Sequence, residues 1–273
     1  MFNFFHTNIP DSVLINIGQI KIYWYGLFIV TGILAAMAVV LKLAEKHKIS
    51  KEAIIDSVFY LVAGGIIGAR AYHIFLEFPY YFNNPIEIIK IWQGGLAIHG
   101  AILAGIVIAY FFAKKHKINF WRLLAVYTPG LAIGQAIGRW GNYFNQELFG
   151  LPTNLPWGIP IEPASRALEY YGANYYHPTF LYESLGSLLI FIILIFVHRF
   201  FIKKDLKFYE IIVLIYLGLY SILRFCLEFI RIDKTPEILN LRFPQIISLL
   251  ILLIISLYLI KNRKKYHLRL KKV

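Results

Sequence analysis

The stretch that decides the fold is IYWYGLFIVTGILAAMAVVLKL, residues 22 to 43, in which Lys42 is the single charged residue. A membrane-spanning helix needs about 20 consecutive, mostly apolar residues, because a rise of about 1.5 Å per residue must cover about 30 Å of hydrocarbon. The stretch therefore predicts a transmembrane helix. A secretory signal peptide carries its cations before the apolar run, whereas Lys42, Lys46 and Lys48 lie at or beyond its C-terminal end here, so we expect the run to be retained as a span.

The rest of the 273-residue chain repeats this pattern. Hydrophobic residues make up 59% of it and charged residues only 16%, which excludes an ordinary soluble domain. Backbone polar groups must be satisfied internally in lipid, so every span should be helical. We predict an all-α, polytopic membrane protein that forms one integral domain over residues 1–273. Its seven spans are expected at residues 22–43, 53–76, 95–113, 123–147, 178–200, 208–231 and 243–260.

Lysine and arginine residues alternate between the two sets of segments that join these spans, with nineteen on one side and six on the other. The positive-inside rule places the richer side, which includes the C-terminus, in the cytoplasm and the N-terminus outside, as an odd number of spans requires. Most of the net charge of +13 then meets anionic lipid headgroups, so no nucleic-acid partner is needed to explain it. The proline-rich external segment, residues 148–177, should form a small irregular cap.

Three arginines, Arg70, Arg139 and Arg224, lie within the apolar runs. An arginine near the centre of a spanning helix costs about 2.5–3.5 kcal/mol on insertion. Each should therefore be compensated or functional. Extension of the side chain toward the headgroups is the simpler explanation for Arg70, and for Arg231, because both are near the outer ends of their spans.

Arg139 belongs to GRWGNYFNQELFG, residues 138 to 150. At about 100° per residue, Arg139, Asn142 and Gln146 fall within about 60° of one another on a helix. Glu147 is a candidate counter-ion for Arg139 if the helix bends or unwinds. A different side of the helix carries glycines, and we expect it to pack closely against another helix. These glycines are Gly130, Gly134, Gly138 and Gly141.

A second polar stripe lies in the sixth span, where Tyr220, Arg224, Glu228 and Arg231 recur at helical spacing. Arg224 and Glu228 can form a local i,i+4 ion pair. Four arginines in the outer halves of the spans face only two acids, Glu147 and Glu228, and this surplus of positive charge predicts a bound anion. Guanidinium groups match phosphate oxygens in a bidentate manner, so the expected guest is a phospholipid headgroup.

His99 is the remaining titratable candidate, in QGGLAIHGAILAG, residues 93 to 105. It is either a structural histidine or a base that neighbouring glycines make accessible to lipid or other backbone. Tyr25 belongs to an interfacial aromatic belt or turns its phenol into a cavity. In HPTFLYE, residues 177 to 183, Glu183 suits the helix dipole at the start of the fifth span. The histidines lack ligand spacing and there is one cysteine, Cys226, so we expect no metal site and no cofactor.

Taken together, these motifs resemble the prolipoprotein diacylglyceryl transferase family over essentially the whole chain. Residues 138–150 are similar to that family's signature, G-R-x-G-N-F-x-N-x-E-x-x-G, with Tyr143 in place of the usual phenylalanine. WYGL, GGLAIHG, HPTFLYE and RFCLEFIR follow in the order that the family shows. One departure is Ala125, where many members carry an aspartate.

The resemblance implies an enzyme of the bacterial cytoplasmic (inner) membrane. It would transfer the diacylglyceryl group of phosphatidylglycerol to the lipobox cysteine of a preprolipoprotein, forming a thioether and releasing glycerol phosphate. Phosphate contacts from Arg139 and Arg224 are implied, with Tyr25, His99 and Glu147 beside them as catalytic positions. The positions implied to bind phosphatidylglycerol, besides the two arginines, are Asn142, Gly150 and Glu228.

His99 is the candidate general base in this scheme, because a free cysteine thiol, with a pKa of about 8.5, is mostly protonated at neutral pH.

Three other functions compete with the transferase. An anion or lipid transporter would also use intramembrane arginines, but no inverted repeat is visible. An intramembrane protease would need G-x-S-x-G or paired aspartates within spans, and the chain has neither. A purely structural membrane protein would pair its arginines with local acids only.

Overall fold

The structure is a computed structural model that describes residues 6–18 and 20–270; within the last helix it leaves out the side chains of residues 264, 265 and 267–270. The cationic tail used to predict the orientation continues to Lys272, so its end lies outside the described residues. The two ends of the predicted domain, residues 1–273, also lie outside the described residues.

Long helices form the framework, as the composition predicts. In chain order they are α1 (Trp24–Lys46), α2 (Lys51–Leu76), the short α3 (Phe78–Asn83), α4 (Ile98–Lys115), α5 (Phe120–Phe144), α6 (Thr179–Lys203), α7 (Tyr209–Leu227) and α8 (Phe243–Leu270). Short 3-10 turns cover Pro85–Ile89, Ile91–Gln93, Pro163–Ser165 and Leu168–Tyr170.

Within residues 6–18 and 20–270, six helices are long and apolar enough to cross a membrane: α1, α2, α4, α6, α7 and Phe243–Arg263 of α8. This confirms an all-α, multi-pass membrane protein. The predicted fourth span corresponds to α5, which has 25 residues but contains Pro129 and the polar residues Gln135, Arg139 and Asn142. A seventh span at α5 therefore stays a prediction, and so does the orientation of the termini.

Two helices end earlier than the sequence predicts. α5 stops at Phe144, because Gln146 and Leu148 have φ values of 52° and 56°, in the left-handed region that ends a helix. α7 stops at Leu227, where the N–H of Glu228 caps the helix by donating to the carbonyl of Arg224. Residues 147 and 231, predicted within spans, consequently lie just beyond the helix ends.

Two β-hairpins were not predicted. Strand β1 (Val13–Ile17) pairs antiparallel with β2 (Ile20–Tyr23), and β2 runs directly into α1. The second hairpin joins β3 (Glu237–Ile238) to β4 (Leu241–Arg242) just before α8. The predicted first span, residues 22–43, takes in only the last two residues of this hairpin, Ile22 and Tyr23, which belong to β2.

The chain divides into two compact units whose boundaries fall inside α1 and α5. The first unit comprises the described parts of Met1–Val39 and Thr128–Val273, and the second comprises Val40–Tyr127. In the second unit α2 packs against α4. A Cβ added to Gly68 of α2 would lie 2.7 Å from the carbonyl oxygen of Gly100, so glycine permits this close approach.

In the first unit, α6 packs against α7 and α7 against α8. The glycine side of α5 faces α1, as the close-packing prediction requires. A Cβ added to Gly32 would lie 3.1 Å from the carbonyl oxygen of Gly134, and one added to Gly141 would lie 2.7 Å from the Tyr25 ring. The polar side of α5 is therefore left to face other elements of the unit.

Residues 148–177 form the irregular cap that the prolines predict. Isolated bridges join Gly150 to Arg231 and Tyr176 to both Pro152 and Ile159. These bridges surround a small buried cluster that ties the cap to the ends of α5 and α6. Its members are Tyr143, Phe149, Ile159, Ile161, Tyr176 and Phe180.

Candidate active site

The polar side of α5 presents Arg139 and Asn142 next to the turn that holds Glu147. Nη1 of Arg139 donates to Oδ1 of Asn142 at 3.3 Å. Nδ2 of Asn142 donates to Oε1 of Glu147 at 2.7 Å, and the N–H of Glu147 donates to the carbonyl of Asn142 at 3.1 Å. Buried Asn142 thus bridges the arginine and the acid, so Glu147 reaches Arg139 through an amide and not as the direct counter-ion that the sequence suggested.

The carboxylate that pairs with Arg139 is that of Glu183, on the second turn of α6. Its Oε1 lies 2.6 Å from Nη2 of Arg139 and accepts a hydrogen bond from the Tyr220 hydroxyl at 3.4 Å. Its Oε2 lies 3.9 Å from Nη1 of Arg224 and 3.8 Å from Nη1 of Arg231. The position of Glu183 at the start of a span predicts an interaction with the helix dipole, and its pairing with these arginines was not predicted. A carboxylate in an apolar helix was the available signal.

Arg224 and Glu228 form the i,i+4 pair that their spacing predicts, with Nη2 of Arg224 at 2.9 Å from Oε2 of Glu228. Glu228 is also paired with Arg242, whose Nη1 lies 3.3 Å from Oε1. Both acids next to Arg224 are therefore shared between two or more guanidinium groups.

Arg231 and Arg242 stabilise the chain that follows α7. Nε of Arg231 donates to Asp233 at 2.7 Å, and Arg242 donates to the carbonyls of Glu228, Arg231 and Asp233. Burial alone would raise the pKa of Asp233, but the hydrogen bond from Arg231 and the charges of Arg231, Arg242 and Arg224 outweigh it, so the pKa lies below its ordinary value. These contacts give both arginines a structural role.

The predicted surplus of two positive charges is wrong for this cluster. Its four arginines, at positions 139, 224, 231 and 242, are matched in number by four acids, at positions 147, 183, 228 and 233. The sequence count had set Glu183 aside as a helix-dipole residue and had left out Asp233 and Arg242, which lie beyond the spans.

The positively and negatively charged side chains of the cluster are not equally exposed. The side chains of Arg139 and Arg224 are 23% and 19% exposed, whereas Glu183 and Glu228, which pair with them, are 3% and 0% exposed. The carboxylates are buried behind the two guanidinium groups. The accessible side of the cluster is thus cationic even though its total charge is balanced, and it suits a phosphate better than it suits a cation.

Tyr25 is placed at the edge of this cluster, on the first turn of α1 against Gly141. Its phenol is close enough to Glu147 and Arg139 to interact electrostatically with both. Beside it is an open cavity of about 500 Å³, lined by Ser12, Ile22, Tyr23, Tyr25, Gly26 and Asn145. Tyr25 therefore borders a cavity. That its phenol turns into the cavity, one of the two alternatives left open for it, stays a prediction.

Comparisons with known proteins show the family of the chain that carries these residues. A sequence model described as prolipoprotein diacylglyceryl transferase matches residues 12–261. The chain belongs to the prolipoprotein diacylglyceryl transferase family. Proteins named phosphatidylglycerol–prolipoprotein diacylglyceryl transferase are 42% identical to it in Synechococcus elongatus, over 88% of this chain and 83% of the relative, and 41% identical in Finegoldia magna, over 93% and 97%.

Two residues that the sequence singles out, His99 and Arg70, lie in the second unit of this diacylglyceryl transferase family member. His99 is the second residue of α4 and is exposed within its unit, with its ring 5.9 Å from that of Tyr72. At the adjacent Gly100, α2 and α4 are in close contact through Gly68. Among the residues that the structure describes, no cluster of three His, Cys, Asp or Glu side chains could hold a metal ion.

Arg70 neither extends toward the headgroups nor faces an anion site. It is buried, and it donates to the carbonyls of Glu87, Ile88, Gly94 and Gly95 at 2.5–3.0 Å. Both sequence interpretations of Arg70 are wrong, because the segment after α3 folds back and supplies acceptors that the sequence alone does not reveal.

Gly150 is buried at a point where several chain segments meet. A Cβ there would lie 2.7 Å from the carbonyl oxygen of Ile230 and 2.9 Å from both His177 and Thr179. Its N–H donates to the carbonyl of His177 at 2.9 Å. The geometry accounts for glycine by packing, and the lipid contact that the family resemblance implies for Gly150 stays a prediction.

Proposed function

We propose that the protein transfers the diacylglyceryl group of phosphatidylglycerol to the lipobox cysteine of preprolipoproteins, the first step of bacterial lipoprotein maturation. Membership of the family supports the reaction. The observation that carries the proposal is the accessible pair of guanidinium groups, Arg139 and Arg224, backed by the buried carboxylates of Glu183 and Glu228. Such a pair presents N–H donors to an anion from one side only.

In the proposed reaction, the cysteine thiolate attacks the glyceryl carbon that carries the phosphate ester. A C–S bond forms, the C–O bond breaks, and its electron pair leaves with the phosphate oxygen as glycerol phosphate. Negative charge therefore grows on the phosphate in the transition state. Arg139 and Arg224 would stabilise that charge through donors already held in place, which is the most effective form of electrostatic catalysis.

The other predicted positions would support these two arginines. Asn142 would keep Arg139 and Glu147 at fixed separation, because it bonds to both. Glu228 would orient Arg224 and would not touch the phosphate itself, since it is buried and negatively charged. Tyr25 would border the bound headgroup at the edge of the cavity.

His99 is proposed as the general base that takes the thiol proton, with its role resting on the resemblance and on its accessibility within its own unit.

We also propose that α5 is the seventh span, that the N-terminus is outside and the C-terminus cytoplasmic, and that the whole chain acts as one domain in the bacterial inner membrane. The charge asymmetry of the connecting segments supports this orientation.

The proposal is tested by incubating the purified protein with phosphatidylglycerol and a lipobox peptide, followed by mass measurement of the peptide. The expected product is heavier by one diacylglyceryl group, and a cysteine-to-serine peptide serves as the control. An unmodified peptide, together with anion flux in proteoliposomes, would instead support a transporter.

A further inference from the structure

We propose that Glu183 is a positioning residue for the transfer reaction. It would hold the guanidinium groups of Arg139 and Arg224 from behind, so that both direct N–H donors toward one lipid phosphate. This inference rests on the proposed function, because the phosphate in question is that of phosphatidylglycerol.

The two carboxylate oxygens of Glu183 pair with arginines on different helices. Oε1 is paired with Arg139 of α5 at 2.6 Å, and Oε2 lies 3.9 Å from Arg224 of α7. Among residues 6–18 and 20–270, Glu183 is the carboxylate that has ion pairs with both of these arginines. It therefore sets the distance between two groups that no shared helix relates.

The backbone on either side of Glu183 is fixed to neighbouring segments. The hydroxyl of Ser184 donates to the carbonyl of Ala136 in α5 at 2.7 Å, and that of Thr179 donates to the carbonyl of Leu148. One turn further on, a Cβ at Gly186 would meet Cδ2 of Leu223 at 2.6 Å, so α6 lies close to α7 right beside Arg224. The carboxylate is thus attached to a rigid support.

The burial of the three side chains indicates whether Glu183 holds the two arginines in place or competes with a phosphate for them. Glu183 is 3% exposed, and the two guanidinium-bearing side chains are 23% and 19% exposed. A phosphate would therefore approach from the opposite side. The 3.9 Å between Oε2 and Nη1 of Arg224 is too long for a hydrogen bond, so an acceptor in front of Arg224 need not displace Glu183.

Glu183→Gln keeps the size of the side chain and removes its charge. Arg139 would lose its ion pair and its fixed orientation, while the cluster would become more positive overall. We expect kcat to fall by at least about 30-fold, as for the loss of aligned donors, without a rise in KM for phosphatidylglycerol. Glu210→Gln is the matched control, since Glu210 contacts Tyr266 at the far end of α7 and should leave kcat unchanged.

A double-mutant cycle separates positioning from a merely structural role. Arg139→Lys, Glu183→Gln and the double variant are compared for kcat and for the dissociation constant of phosphatidylglycerol, with thermal unfolding as the folding check. If Glu183 acts through Arg139 and Arg224, the double variant loses clearly less than the product of the two single losses, because Arg139→Lys has already altered one of the two groups that Glu183 holds. Losses that multiply, or a Glu183→Gln enzyme within about threefold of wild type, would overturn the inference.

If Glu183→Gln does not fold, Glu183→Asp keeps the charge but withdraws it by one methylene, and must show the same coupling to Arg139→Lys. If the wild-type protein transfers no diacylglyceryl group, the proposed function fails. Coupling in the dissociation constant alone then decides whether Glu183 positions the arginines, and additive binding effects would overturn the inference.

Discussion

Nη2 of Arg139 lies 2.6 Å from Oε1 of Glu183, and of the two side chains only the arginine has appreciable exposure. An arginine in an apolar helix is costly by itself. Here its counter-ion occupies one side and leaves the other side cationic. The same arrangement recurs at Arg224, whose partner Glu228 is fully buried. This asymmetry, and not a surplus of positive charge, is what makes the cluster suited to a lipid phosphate.

Arg139→Lys should lower kcat/KM for diacylglyceryl transfer by about 100- to 1,000-fold, because an ammonium group keeps the charge but lacks the planar fork. Transfer to a lipobox peptide is the measurement. Arg199→Lys, at an exposed position on α6, is the control and should leave the rate unchanged. Wild-type activity in Arg139→Lys would rule out the bidentate role.

Gly141→Ala should displace Tyr25, since the added methyl carbon would lie 2.7 Å from its ring. Overpacking of this kind costs about 1–3 kcal/mol, and transfer should fall at least about tenfold with it, as misplaced catalytic groups lose rate steeply. Gly65→Ala is the control, because a Cβ there has no atom within 4 Å. Thermal unfolding in detergent would show a loss for the first variant and none for the second.

Arg70→Lys should loosen residues 87–95, because an ammonium group cannot reach the four carbonyls that the guanidinium binds. Amide hydrogen exchange in this segment should accelerate by about tenfold or more, equivalent to at least about 1.4 kcal/mol of local stability. Lys90→Gln breaks only the partly exposed pair with Glu87 and should change exchange little. Unchanged exchange in Arg70→Lys would contradict the tethering role.

Asp233→Asn should destabilise the turn after α7 by about 1–2 kcal/mol at neutral pH, through the lost charge-assisted hydrogen bond from Arg231. The pKa of Asp233 is lowered in the folded protein. The acid therefore stabilises the fold above its ordinary pKa of 3.8, and this contribution disappears as the pH falls through the lower folded value. The unfolding free energies of the two proteins should draw together as the pH falls below 3.8 and should become equal only below the lower folded pKa. A gap of constant size across this range would refute the assignment.

His99→Asn should lower the rate by about 100-fold or more at neutral pH if His99 removes the thiol proton. The deficit should shrink as the pH rises toward the thiol's own pKa of about 8.5. His116→Asn, at the far end of α4, controls for the loss of a histidine. A rate for His99→Asn that matches wild type from pH 6 to 8 would remove the base assignment and leave the family assignment intact.

The sequence was sufficient for the helices because twenty-residue apolar runs have few alternatives in lipid. It was also sufficient for the glycine side of α5, since Gly134 and Gly141 permit a contact that larger residues forbid. Helix ends were less predictable. The positive φ of Gln146 and Leu148 depends on how the cap folds against α6, and no local sequence pattern predicts these backbone conformations.

The candidate site was predicted in part. The i,i+4 pair of Arg224 and Glu228 follows from helix geometry. The pairing of Arg139 with Glu183 does not, because it depends on how α5 and α6 pack, and two residues 44 positions apart have no fixed spacing. Arg70 shows the same limit, since its carbonyl partners come from a loop whose path the sequence does not specify.

The most direct test of the account is an experimental structure of the protein with phosphatidylglycerol bound. We predict phosphate oxygens within hydrogen-bonding distance of guanidinium nitrogens of both Arg139 and Arg224, with Glu183 still paired behind them. A headgroup bound elsewhere, with Arg139 and Arg224 bonded only to Glu183, Asn142 and Glu228, would contradict the central claim.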